Sequence, residues 1–142
     1  MKIGARVPAL TLLSLPDQLP RELRRGTREA YAVILPPPSG CGAYLELLAD
    51  SAASFQRWDG VALVAGEGDG SWFRTRLKMP AEMAALVVVD RYGEVYEVVG
   101  AEGCNRLPSP AEIEEWFKYL ATQCPECGVP DGPGNTLDGP VW

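Results

Sequence analysis

The sequence contains no histidine, and that single absence removes Ser/His/Asp and Cys/His catalysis, imidazole metal ligation and histidine-based pH switching together. Positive charge is also scarce. Thirteen Lys and Arg against 19 Asp and Glu leave a net charge of −6, whereas nucleic acids and anionic membranes are bound through basic patches. The densest basic stretch, Arg21-Glu22-Leu23-Arg24-Arg25, is interrupted by a Glu and reads as a solvated face. No apolar run approaches the roughly 18 residues of a membrane-spanning helix, and there is no internal repeat. The opening stretch places Arg6 and Pro8 where a signal peptide needs an uninterrupted apolar run, and no small-residue cleavage site follows, so the expected location is the cytoplasm.

Any chemistry must therefore come from Cys, carboxylates, Tyr, Lys or Arg. A chain of 142 residues fits one domain that buries about two thirds of its unfolded surface and needs no disulfide to fold. In a reducing compartment its four cysteines point to catalytic, redox-sensing or metal-binding roles rather than permanent staples.

Cys41 stands at the most telling place. The run Tyr31 to Leu35 has the length and continuous apolar character of a strand buried on both faces. It turns through Pro36-Pro37-Pro38-Ser39-Gly40 into a helical pattern beginning near Gly42. A thiol there faces the unpaired N–H groups of a first helical turn, which favour thiolate and sharpen its nucleophilicity. The competing reading is a small buried hydrophobe at a loop-to-helix junction.

From Tyr44, apolar residues recur as Leu47, Leu48, Ala52 and Phe55, predicting one helical face up to Trp58. Val61 to Ala65 predicts the next strand. Gly66 to Gly70 reads as a loop, without the Lys and Ser/Thr of a phosphate cradle. Ala85 to Val89 and Glu94 to Val99 flank Asp90-Arg91-Tyr92-Gly93 and predict an antiparallel hairpin. Asp90, Glu94 and Glu97 are expected there as solvated or cross-strand charges. Ser109-Pro110-Ala111-Glu112 is a capping box with Pro at the first helical position. It opens a helix with the stripe Ile113, Trp116, Phe117 and Leu120 that ends near Gln123. Before all this, residues 1 to 29 form a Pro-punctuated lead-in, a hairpin or an extra strand, with short apolar pieces at Leu10 to Leu15 and a helical turn around Pro20 to Arg25.

This order of elements, with Ile3-Gly4-Ala5-Arg6-Val7-Pro8 ahead of it, Ser39-Gly40-Cys41-Gly42 at the turn and Val87 to Val95 as the hairpin, resembles the thioredoxin-fold redoxin family. That family comprises peroxiredoxin-like and thiol-disulfide-oxidoreductase-like domains. The resemblance implies an α/β domain, a central mixed sheet flanked by helices in three layers, over residues 1–127, followed by a Pro/Gly-rich tail over 128–142. It also implies a thiol-based redox protein that meets a protein or small-molecule disulfide or a peroxide, an antioxidant role among them, with Cys41 as its nucleophile.

The chain departs from the family in three places. Its motif reads Cys41-Gly42-Ala43-Tyr44, with Tyr44 where thioredoxins carry a second Cys, which excludes dithiol exchange confined to that motif. Ile34 and Pro38 stand where the peroxiredoxin pattern has Pro and Thr or Ser. Ala84-Ala85 stand where the fold usually has a Pro before the first hairpin strand. In such a sheet the second hairpin strand runs parallel to the strand that delivers Cys41, which makes Cys104 a candidate resolving thiol if the Cα atoms come within about 7 Å; the alternative is an unpaired loop thiol.

Cys124-Pro125-Glu126-Cys127-Gly128 supports two further chemistries. It is a redox pair that closes its own disulfide or reduces another one, such as that at Cys41, one zinc knuckle completed by a second chain or by Cys41 and Cys104, or part of a passive tail. With no cofactor in the first case and zinc in the second, the alternative to a redox protein is a non-catalytic binding scaffold whose C-terminal pair is a zinc or homodimer clip.

Overall fold

The computed structural model describes residue 7 and residues 10–15, 20–23 and 30–122. Its elements are β1 (Leu10–Ser14), β2 (Pro20–Leu23), β3 (Ala30–Leu35), α1 (Gly42–Asp50), α2 (Ala52–Gln56), β4 (Gly60–Val64), α3 (Glu67–Leu77), β5 (Ala84–Val89), β6 (Val95–Ala101), a 3₁₀ turn over Cys104–Arg106 and α4 (Pro110–Ala121).

The six strands form one mixed sheet in the order β2-β1-β4-β3-β5-β6, with β3 and β4 parallel and every other neighbouring pair antiparallel. β3 and β5 are apolar throughout and buried at every position, because helices cover both faces and leave no side facing water. Successive side chains point to opposite faces. Ala32 and Ile34 therefore join Leu86, Val88, Leu48, Phe55, Ile113, Phe117 and Leu120 in one core. Tyr31, Val33 and Leu35 join Leu12, Leu63, Phe73, Val87 and Val95 in the other. The first core lies under α1, α2 and α4 and the second under α3, which gives three layers.

The cap of α4 forms as its sequence predicts. The Glu112 amide donates to Ser109 Oγ at 3.3 Å and the Ser109 amide to Glu112 Oε1 at 3.0 Å. Ile113, Phe117 and Leu120 of the predicted stripe are buried, and Trp116 packs partly buried beside them. Phe117 meets Phe55 edge to face with ring centroids 5.2 Å apart, and its ring lies against Gly60 so closely that a Cβ there would overlap it. Gly60→Ala is therefore expected to cost about 1–3 kcal/mol through overpacking, read as a lowered denaturant midpoint at unchanged slope.

Five local expectations are corrected. The single helix predicted up to Trp58 is two, broken at Ser51: the Ser51 amide turns back to Leu48 O at 3.1 Å and its Oγ donates to Leu47 O at 3.0 Å, the local competition for backbone groups typical of Ser. Leu47, expected on the buried face, is 54% exposed. The predicted loop at Gly66 to Gly70 is the first turn of α3, whose weakly patterned sequence is held helical by tertiary burial of Phe73 and by Trp72 packed against that core. The predicted helical turn around Pro20 to Arg25 is strand β2 over Pro20–Leu23, paired along β1 with Leu10 opposite Leu23. Asp90, expected solvated, is buried, and its Oδ1 accepts from the amides of Tyr92 at 2.9 Å and Glu94 at 3.0 Å, building the hairpin turn in which Gly93 takes φ +81°.

Candidate functional site

Strand direction decides where the thiols meet. β5 is antiparallel to β3 and β6 to β5, so β6 runs in the direction of β3 and both deliver their C-terminal ends to one edge of the sheet. In register, Leu35 of β3 stands opposite Ala85, and Ala85 opposite Gly100 of β6, so the two strand ends lie roughly 10 Å apart across β5. Two short connections close that gap. After β3 the chain turns at Gly40, whose φ of +85° is a conformation side chains disfavour and whose amide donates to Pro37 O at 2.8 Å. Cys41 then takes the N-cap position of α1. After β6, Gly103 leads into the 3₁₀ turn that begins at Cys104.

Cys41 and Cys104 are joined as a disulfide, with Cα atoms 5.6 Å apart and a sequence separation of 63. Cys41 is 5% exposed and belongs to the core under α1 and α4, whereas Cys104 is only partly buried at the edge of that core. The helix supports the N-cap sulfur electrostatically: the Leu45 amide already bonds Cys41 O at 2.9 Å, no side-chain cap uses the earlier N–H groups, and the first turn holds no acidic residue. The N–H groups of that first turn adjoin, in the chain, a sulfur that would carry negative charge on reduction. Cys104 Sγ lies 3.8 Å from the carbonyl oxygen of Gly40, which offers no such support.

Tyr44 supplies a second tie across the same gap. Its hydroxyl donates to Pro108 O at 2.7 Å, bridging 64 residues, and burial together with the Glu112 carboxylate raises its phenol well above the ordinary value. Burial, with Tyr119 beside it, also pushes Tyr96 up to about 12. Both phenols thus stay protonated near neutral pH, and Tyr44 acts as a donor rather than a base. Tyr44→Phe is expected to cost about 1–3 kcal/mol, since it strips the Pro108 carbonyl of its bond at a partly buried site; equilibrium unfolding of the oxidised protein measures it.

A groove of about 610 Å³ opens over the disulfide, walled by Ser39 to Tyr44 and Leu47 on one side and by Gly103 to Asn105, Leu107, Ser109 and Pro110 on the other. Every side chain in that lining is uncharged, and the exposed Leu47 forms part of its wall. A second cavity, of about 600 Å³, lies behind the Pro cluster between Pro36 and Arg74. The Arg74 guanidinium donates there to Pro36 O at 3.0 Å and Leu35 O at 3.3 Å, and also to Pro80 O. It therefore fastens the end of β3, from which the Cys41 turn departs. Neither the Arg74 tie nor the Tyr44 bond was legible in sequence, since both end on backbone carbonyls that carry no residue-type signal.

Cys124 and Cys127 lie outside the described residues, as does the tail over 128–142. Among the described residues no group of three or more His, Cys, Asp or Glu side chains is placed to hold a metal ion, and no helix is long and apolar enough to cross a membrane.

No known protein family matches the sequence, and no curated protein does. Solved structures do. A 2-Cys peroxiredoxin of Plasmodium vivax in its reduced form superposes with TM-score 0.56 at 13% identity, covering 96% of this chain and 92% of that one. AhpC of Mycobacterium tuberculosis gives TM-score 0.55 at 14% identity over 89% and 97%. BsSco, a Sco-family cytochrome c oxidase assembly protein described with a disulfide switch, gives 0.52 at 10% over 87% and 97%. The chain has the thioredoxin-like fold. Within it, the disulfide sits where β3 hands over to α1. At these identities the thioredoxin-like likeness speaks for architecture alone.

Proposed function

We propose that this protein is a thiol redox protein that cycles between a Cys41/Cys104 dithiol and the Cys41–Cys104 disulfide. The observation that carries the reading is the pairing itself: two cysteines 63 residues apart brought to a Cα separation of 5.6 Å at the N-terminus of α1, under an open groove. A permanent staple needs no helix terminus and no groove; a working couple uses both.

In disulfide exchange the dithiol gives two electrons and two protons to a disulfide R–S–S–R, which leaves as two thiols while the protein closes its own S–S bond. With a peroxide as oxidant, the Cys41 thiolate attacks the O–O bond, the alkoxide leaves as alcohol, and Cys41 becomes a sulfenic acid. Cys104 then condenses with it, releasing water and forming the same disulfide. An external thiol returns the two electrons in either case. The proposed partners are accordingly a protein or small-molecule disulfide or peroxide as oxidant and a thiol as reductant, and the sulfur chemistry requires no further cofactor.

Peptide mapping of the purified protein under non-reducing conditions, after equilibration across a series of dithiothreitol ratios, tests the couple. The expected result is a 41–104 linked peptide that appears and disappears reversibly with two-electron dependence. A protein whose Cys41 and Cys104 stay unlinked throughout is a scaffold, and the redox reading falls.

A further inference from the structure

Building on that redox reading, we infer that the two sulfurs have fixed and opposite roles: the external thiol or disulfide is engaged at Cys104, and Cys41 is the inner thiolate that leaves and returns. This reverses the assignment expected from the sequence, in which Cys41 meets the substrate and Cys104 resolves.

Access comes first. Cys41 is 5% exposed and sits in the core with Ile34, Tyr44 and Leu48, while Cys104 lies partly exposed in the groove wall. An incoming thiolate must approach along the S–S axis from the side of the sulfur it attacks, and the solvent side is that of Cys104. Leaving-group quality acts in the same direction, because exchange is faster when the departing thiolate is the better stabilised one. Cys41 departs at the N-terminus of α1, where the helix dipole favours negative charge and the first turn holds no acidic residue. Cys104 would depart beside the Gly40 carbonyl oxygen, 3.8 Å from its Sγ, a neighbour that disfavours negative charge.

A thiolate R–S⁻ attacks Sγ of Cys104; the Cys41–Cys104 bond breaks, its electron pair passes to Cys41 Sγ, and an R–S–S–Cys104 mixed disulfide forms. A second R–S⁻ attacks the R sulfur, giving R–S–S–R and the Cys104 thiolate, which takes a proton from water. Oxidation by an external disulfide is the reverse, with the mixed disulfide again on Cys104 and the Cys41 thiolate displacing R–S⁻ to close the ring. For a peroxide the oxidising step falls on Cys41, and reduction by an external thiol still enters at Cys104.

The test compares reduced Cys41→Ser and Cys104→Ser, each treated with bis(2-hydroxyethyl) disulfide, an uncharged small disulfide, and read residue by residue by mass spectrometry. At a pH of about 9 an ordinary thiol of pKa about 8.5 is mostly ionised, so access decides the rate. Cys104 in Cys41→Ser is expected to form its mixed disulfide at least about tenfold faster than Cys41 in Cys104→Ser, and the difference is expected to vanish in denaturant. In the oxidised wild type, brief treatment with 2-mercaptoethanol and an alkylating agent is expected to leave the mercaptoethanol on Cys104 and the alkyl group on Cys41. Equal or faster reaction at Cys41 in the variants, or mercaptoethanol on Cys41 in the wild type, overturns the assignment. Absence of any 41–104 linkage in the oxidised wild type overturns the redox reading beneath it.

Discussion

Cys41→Ser abolishes turnover of any disulfide or peroxide substrate, with a loss of at least about a hundredfold, while the fold is retained. Exchange requires a thiolate, and a Ser hydroxyl neither ionises near neutral pH nor forms the S–S bond through which the two electrons pass. The fold is expected to survive because Ser is close in volume to Cys and the N-cap position favours it: its Oγ can accept from the free N–H groups of the first turn of α1, where the wild-type sulfur makes no cap bond. Far-UV circular dichroism with steady-state turnover measures both sides. A variant that keeps more than a few per cent of wild-type turnover would remove Cys41 from the chemistry. In the converse experiment, reduced Cys104→Ser keeps Cys41 at the helix terminus, and the pH profile of its alkylation is expected to have a midpoint below the roughly 8.5 of an ordinary thiol.

Reduction of the disulfide lowers the stability of the folded chain by about 4 kcal/mol. The cross-link closes a loop with 63 residues of separation, and the entropy it removes from the unfolded chain at that length amounts to about 4 kcal/mol at 25 °C. Against the 5–15 kcal/mol typical of a domain this is a large share. The reduced protein should nevertheless remain folded, because both cores are built without the bond, around Phe55 and Phe117 on one face of the sheet and Phe73 on the other. Urea unfolding with and without dithiothreitol reads the difference, and oxidised Cys104→Ser should match the reduced wild type. A shift under about 1 kcal/mol would mean that the unfolded chain already holds the two segments together. A redox couple linked to stability in this way makes the oxidised state the more rigid of the two, and the groove wall at 103–110, tied to α1 by the disulfide and by Tyr44, is the part expected to loosen first. Amide exchange at Cys104 to Leu107 should accelerate on reduction more than exchange in β3 or β5.

Much of this was written locally. The Tyr31 to Leu35 run, the turn signal at Asp90 to Gly93 and the Ser109/Glu112 box each carry their instructions within a few residues, and β3, the β5–β6 hairpin and α4 formed where they said. The position of Cys41 at a helix start was equally legible, because the Pro cluster and the helical spacing after it lie side by side in the chain. The unmatched features depend on partners outside their own segment. α3 lacks a clear stripe and exists because Phe73 has a core to enter; β2 is a strand because β1 offers it a ladder; Leu47 stays exposed because α1 turns Tyr44 and Leu48 to the core and leaves Leu47 in the groove wall. The Arg74 tie to Leu35 and Pro36 and the Tyr44 bond to Pro108 are meetings of side chains with distant backbone carbonyls, and the groove forms between two segments distant in sequence.

The sequence by itself determined the strand–helix order, the absence of histidine chemistry and the presence of a thiol at a helix N-terminus, because propensity, capping and composition are local properties. The tertiary structure alone decided that Cys104 comes within bonding distance of Cys41, that Cys41 is the inner sulfur and Cys104 the outer, and that Tyr44 clamps the connection. Those facts follow from the parallel direction of β3 and β6 across β5 and from which side of the sheet edge is left open to water, and no stretch of chain encodes them on its own.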